Sequence, residues 1–142
     1  MIVADTSALV AIVFAEPERQ AFLEAVRRAR RVLVSTPSVL ETRMVVHGRK
    51  GERAVLLLDD LLRLPTFEHV PPGVAEIQAA YAAFVAYGKG SGHPAGLSFG
   101  DVFSYALAKV RNLPLLFKGD DFAQTDIAAA CPQPASAGAA PA

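Results

Sequence analysis

Three short apolar runs, Met1–Ala4, Val32–Val34 and Leu115–Phe117, and the short segment Phe67–Val70 constrain the fold more than any other feature of the chain. Each is too short for a helix and reads as a buried strand. Each also runs into helix-starting or turn-forming residues: Asp5-Thr6-Ser7, Ser35-Thr36-Pro37-Ser38, Pro71-Pro72-Gly73 and Lys118-Gly119-Asp120-Asp121-Phe122. Between the runs, apolar residues return at helical spacing. Ala21, Phe22, Ala25 and Val26 form one such stripe, Val74, Ile77, Tyr81 and Phe84 a second, and Phe103, Leu107 and Val110 an inward face on a helix over Asp101–Asn112. Val39–His47 and Glu52–Leu64 read as a helical pair broken at Gly48 and Gly51. Strands alternating with helices along 142 residues predict an α/β/α sandwich around a mainly parallel sheet with right-handed crossovers. The 26 alanines suit packed helices and speak against an all-β fold. Residues 1–131 are expected to form one domain, and 132–142, rich in proline and alanine, a disordered tail. Gly88–Gly100, with five glycines, reads as a mobile loop.

Several function classes fall away. The longest early apolar stretch, Ala8–Ala15, is far shorter than the roughly 20 residues of a bilayer span, and no basic segment precedes it. One cysteine, Cys131, cannot form an internal disulfide, and His47, His69 and His93 have no zinc-ligand spacing. A reducing, cytoplasmic setting is expected. Net charge is zero, but residues 27–53 hold eight basic side chains (Arg27, Arg28, Arg30, Arg31, Arg43, Arg49, Lys50, Arg53) against two acids. That stretch is either a phosphate-attracting face or a solvated helix surface.

In parallel sheets ligands bind beyond the carboxyl ends of the strands, and acids collect there. Asp5 ends the first strand, Asp120 and Asp121 follow the last, and Glu41 and Asp101 each fall in the first turn of an expected helix. Singly, each has a structural reading. Asp5 can cap the helix beside it, Ser38-Val39-Leu40-Glu41 is a capping box, and Ser98-Phe99-Gly100-Asp101 is its aspartate analogue. Together they form a set of oxygen ligands with no basic residue close behind Asp5 or Asp101 in sequence, the arrangement suited to Mg²⁺ or Mn²⁺. Such sites support metal-assisted attack of water on a phosphodiester.

The opening Met-Ile-Val-Ala-Asp5-Thr6-Ser7-Ala8-Leu9, the Ser-x-x-Glu41, the Phe99-Gly100-Asp101 leading into Phe103-x-Tyr105-Ala106-Leu107-Ala108, and the closing Leu115-Leu116-Phe117-x-Gly119-Asp120-Asp121-Phe122 together resemble the PIN-domain ribonucleases, specifically VapC toxins. The likeness spans Met1 to about Ile127. It implies a PIN-type fold, an Mg²⁺- or Mn²⁺-dependent endoribonuclease acting on RNA, a homodimer, and silencing by a VapB-type antitoxin whose tail occupies the active site. By the same resemblance Asp5 and Asp101 are the metal-holding aspartates, and Glu41 is the acid that positions metal or attacking water. Many relatives carry Thr or Ser, any residue, then Asp after the last strand; here those places are Phe117, Lys118 and Gly119. The fourth acid is therefore Asp120 or Asp121; Asp120 is the expected one, because the glycine turn at Gly119 can swing it back toward Asp5, while Asp121 is expected to cap a short helix from Phe122. Thr6 and Ser7 are placed to hydrogen-bond around Asp5 or to cap the first helix. Lys89 and His93 are RNA-contact candidates or solvated loop residues. The intact acid set argues against a catalytically inert PIN domain acting as an RNA- or protein-binding module. A phosphatase with a first-strand Asp nucleophile would need a second Asp where Ser7 stands.

Overall fold

A computed structural model describes residues 1–132. The strands are β1 (Ile2–Ala4), β2 (Val32–Ser35), β3 (Phe67–Val70) and β4 (Leu115–Leu116), and the helices are α1 (Thr6–Val13), α2 (Arg19–Ala29), α3 (Thr36–Lys50), α4 (Glu52–Leu62), α5 (Val74–Tyr87) and α6 (Asp101–Arg111). All strand pairs are parallel, in the order β3-β2-β1-β4, with Val3 opposite both Leu33 and Leu115. Side chains on a strand alternate between faces. Ile2, Ala4, Val32, Val34, Phe67 and Leu116 accordingly pack with α1 to α4, while Val3, Leu33, Val70, Leu115 and Phe117 pack with α5 and α6. Burial on both faces explains why β1, β2 and β4 read as apolar runs, while the edge strand β3 leaves Glu68 and His69 exposed. The expected α/β/α sandwich is borne out. The strand order turns at β1, since β2 lies on one side of it and β4 on the other, which opens a crevice beyond the carboxyl ends of β1 and β4.

Several local expectations need correction. Helix α3 starts at Thr36, with Pro37 in its first turn, and runs through Gly48 without a break. Proline is tolerated there because the first helical N–H groups have no partner to lose. Only Gly51, at φ +77°, separates α3 from α4, and α4 stops at Leu62. The stripe Val74, Ile77, Tyr81 and Phe84 on α5 is exposed, and the helix buries Glu76, Ala80 and Ala83 instead. Small alanines allow the close approach to α6, whereas the large side chains face outward. On α6 the buried face is Val102 and Ser104–Ala108, with Val110 exposed. Residues 88–100 are irregular, as expected, yet they are tied down: Lys89 N–H donates to the Leu97 carbonyl and Leu97 N–H to Tyr87, with Ala95 and Leu97 buried. The expected tail falls almost wholly outside the described residues.

Candidate active site

Asp5 is placed by the first strand-to-helix step. It caps α1, its Oδ2 accepting from Ser7 N–H at 3.0 Å and from Ser7 Oγ–H at 2.7 Å. Ser7 Oγ in turn accepts from the Lys118 N–H at 3.0 Å, so one hydroxyl ties the end of β4 to the carboxylate after β1. Asp5 is 2% exposed, and its Oδ1 makes no hydrogen bond of sound geometry among the described residues, although the Ser104 side chain stands near enough to favour the carboxylate. Burial pushes its pKa up to about 6; the Ser104 and Ser7 groups oppose the rise and Asp101 adds to it. A buried, unpaired carboxylate oxygen is costly, and a cation is the partner that would satisfy it.

Asp101 and Ser98 form the reciprocal capping pair read from the sequence. Ser98 N–H donates to Asp101 Oδ2 at 2.8 Å, and Asp101 N–H donates to Ser98 Oγ at 3.2 Å. The matching expectation for Glu41 fails. Because α3 begins at Thr36, Ser38 lies inside the helix and turns inward, its Oγ 3.1 Å from Ser104 Oγ. Glu41 makes no hydrogen bond or ion pair among the described residues. Its carboxylate lies against Gly100, where an added Cβ would overlap it. Asp5, Glu41 and Asp101 line one cleft of about 450 Å³, together with Thr6, Ser7, Glu16, Arg49, Lys118 and Gly119. Among the described residues no three of His, Cys, Asp or Glu converge closely enough to form a complete metal cage. The three acids nonetheless fit Mg²⁺ by chemistry, since that ion is commonly held by one or two carboxylates and keeps several waters.

Asp120 and Asp121 are both exposed and stand outside the cleft lining. Partial burial, then Asp101, then Asp120 raise the pKa of Asp121, with Lys89 opposing, so Asp121 lies within electrostatic range of the acid set. The expected cap on the 3₁₀ turn Phe122–Gln124 does not form: Asp121 makes no side-chain capping bond. Gly119 does take the glycine conformation, at φ +99°.

Chain folding also brings in what spacing does not reveal. Beneath the acids, Thr42 Oγ–H donates to the Ser38 carbonyl at 2.6 Å and lies 3.1 Å from Thr6 Oγ, linking α1 and α3 through buried hydroxyls. The available signal is spacing from the acids: Ser38 lies three residues before Glu41, and Ser104 three after Asp101. Two cations reach the cleft, contrary to a site without counter-charge. Lys118 is bound to Glu16 at 2.6 Å and to Glu18 at 3.3 Å, while Arg49 comes from the far end of α3. Four of the eight basic side chains of the stretch 27–53 are ion-paired. Arg27 and Arg28 pair with Glu24, Arg31 with Glu68, and Arg43 with Asp59. His93 is held within its loop, its Nδ1 accepting from Ala95 N–H and its ring edge-on to Tyr87. Lys89 borders an apolar groove of about 510 Å³ with Ile77, Tyr81, Phe84 and Phe99.

The PIN domain family matches residues 2–128. The ribonuclease VapC30 of Mycobacterium tuberculosis H37Rv is 48% identical over 126 residues, 89% of this chain and 95% of that protein. Ribonuclease VapC of Mycolicibacterium smegmatis is 46% identical over 127 residues, covering 89% and 98%. In fold, the chain is similar to M. tuberculosis VapC20, a sarcin-ricin loop cleaving toxin, with a TM-score of 0.74 at 17% identity, covering 93% of this chain and 100% of that one. It is also similar to VapBC2 of Rickettsia felis, solved bound to a promoter DNA fragment, with a TM-score of 0.71 at 14% identity, covering 91% and 96%.

Proposed function

This chain belongs to the PIN-domain family and, within it, to the VapC ribonucleases, and from that premise we propose a metal-dependent endoribonuclease toxin of a type II toxin–antitoxin pair. One observation carries the reading: Asp5, Glu41 and Asp101, from three separate segments, share one cleft beyond β1 and β4, with Asp5 Oδ1 unpaired. Asp5 and Asp101 hold Mg²⁺ or Mn²⁺. Once bound, the ion stabilises charge on phosphodiester oxygens and makes water more acidic. Glu41, which makes no hydrogen bond among the described residues, orients the attacking water and takes its proton. Against the expected Asp120, we take Asp121 as the fourth acid, because it lies within electrostatic range of Asp101.

A VapB-type antitoxin silences the enzyme by covering this cleft. Exposed Ile77, Tyr81, Phe84 and Phe99 make a continuous apolar face suited to a second copy of the chain, giving a homodimer. The toxin works in the cytoplasm; no described helix is long and apolar enough to cross a membrane. The test is cleavage of single-stranded or loop RNA by the purified chain. Cleavage should need Mg²⁺ or Mn²⁺, stop with EDTA, and fall by roughly 10²-fold or more in Glu41→Gln. Full cleavage in excess EDTA would overturn the metal assignment. Mn²⁺ titration without heat or cleavage would favour the inert binding module.

A further inference from the structure

We propose that Arg49 is the phosphate-binding residue of the cleft and seats the RNA phosphate beside the one that is cut. The inference rests on the ribonuclease reading and adds the contact that holds the substrate. Glu41, Val45 and Arg49 recur every four residues on α3, and all three line the cleft. At 1.5 Å rise per residue, the Arg49 backbone stands about 12 Å along the axis from Glu41. Helical side chains lean toward the N-terminus, which brings the guanidinium back toward the acids.

Charge makes this residue necessary. The cleft-lining carboxylates are Asp5, Glu16, Glu41 and Asp101, and an anionic RNA backbone entering among them is repelled unless cations are available. A metal ion answers for the acids that hold it. Lys118 is committed to Glu16 and Glu18. Arg49 has no carboxylate partner among the described residues, in contrast to Arg27, Arg28, Arg31 and Arg43. Its guanidinium instead lies over the Phe14 ring, 6.0 Å from the centroid. Contact with a ring face uses none of the guanidinium's N–H donors, and their planar fork matches two phosphate oxygens at once. Lys50 also lies over Phe14, at 5.7 Å, but does not line the cleft.

The test uses mixed-sequence single-stranded RNA as probe. In wild-type background, Arg49→Gln should raise KM roughly tenfold, with the loss in KM rather than kcat. Binding is read in a Glu41→Gln background with Mg²⁺, so that the RNA stays intact. There, adding Arg49→Gln should lower the slope of log affinity against log salt by about 0.7, the value of one phosphate contact on a single strand. Arg49→Lys should restore the slope but only part of the affinity, and Phe14→Leu should leave the slope unchanged. Unaltered KM and slope in Arg49→Gln would overturn the proposal while wild-type cleavage upheld the ribonuclease. A slope loss in a chain that cuts no RNA would uphold the phosphate site and sink the ribonuclease.

Discussion

Replacing Gly100 by alanine should disable the site while sparing the fold. Gly100 sits at φ −67°, ψ −40°, ordinary helical angles that alanine adopts without strain. Removing glycine's freedom in the unfolded chain is worth about 0.4–1 kcal/mol at such a position. The atoms nearest the new methyl group all belong to the Glu41 carboxylate, the far end of a flexible side chain that swings aside at a cost of about 0.5–1.5 kcal/mol. The two terms nearly cancel, so thermal unfolding should stay within roughly 4 °C of wild type. Cleavage should nonetheless fall by about 10²-fold or more, because the displaced carboxylate no longer reaches the water it orients. The assay pairs thermal unfolding with RNA cleavage for Gly100→Ala, Glu41→Gln and the double variant. If Gly100→Ala acts through Glu41, the double variant is no worse than Glu41→Gln alone. Wild-type turnover in Gly100→Ala, or fully additive losses in the double variant, would refute the reasoning.

Asp5, with its pKa pushed up to about 6 from 3.8, holds a proton in the folded state that the unfolded chain releases. Metal-free stability should therefore fall as pH rises through that window, and the cost is fully present above it. Asp5→Asn should raise the melting temperature of metal-free protein at pH 7.5, by a stabilisation on the order of 2 kcal/mol, and abolish stabilisation by Mn²⁺; a lower melting temperature would count against the buried charge. Cleavage by the wild type should climb as pH rises through about 6, because the ionised carboxylate binds metal. Between the adjacent acids, Asp121→Asn should weaken Mn²⁺ binding and cleavage more than Asp120→Asn, since Asp121 lies within electrostatic range of Asp101. The reverse order in isothermal titration would transfer the role to Asp120.

Much of this protein is legible along the chain. The three apolar runs become β1, β2 and β4, because strands covered on both faces ask for unbroken apolar sequence, and Phe67–Val70 becomes the edge strand β3 with Glu68 and His69 exposed. Asp5 is readable as both cap and site residue, since the turn after β1 is local and the capping bonds of its carboxylate come from Ser7, two residues on. The Ser98–Asp101 pair is readable for the same reason. Local spacing fails where a choice depends on a distant neighbour. Ser38 could cap α3 or turn inward, and Ser104 on α6 draws it inward and frees Glu41. Val74, Ile77, Tyr81 and Phe84 have core spacing, yet α5 packs through its alanines because α6 approaches too closely for large side chains. Arg49 and Lys118 are far from Asp5 in sequence and meet it only where strand order reverses at β1. Hydrogen bonds within a turn are set by covalent reach, whereas the charges that share a cleft are set by how strands and helices stack, and the tertiary structure alone decides that.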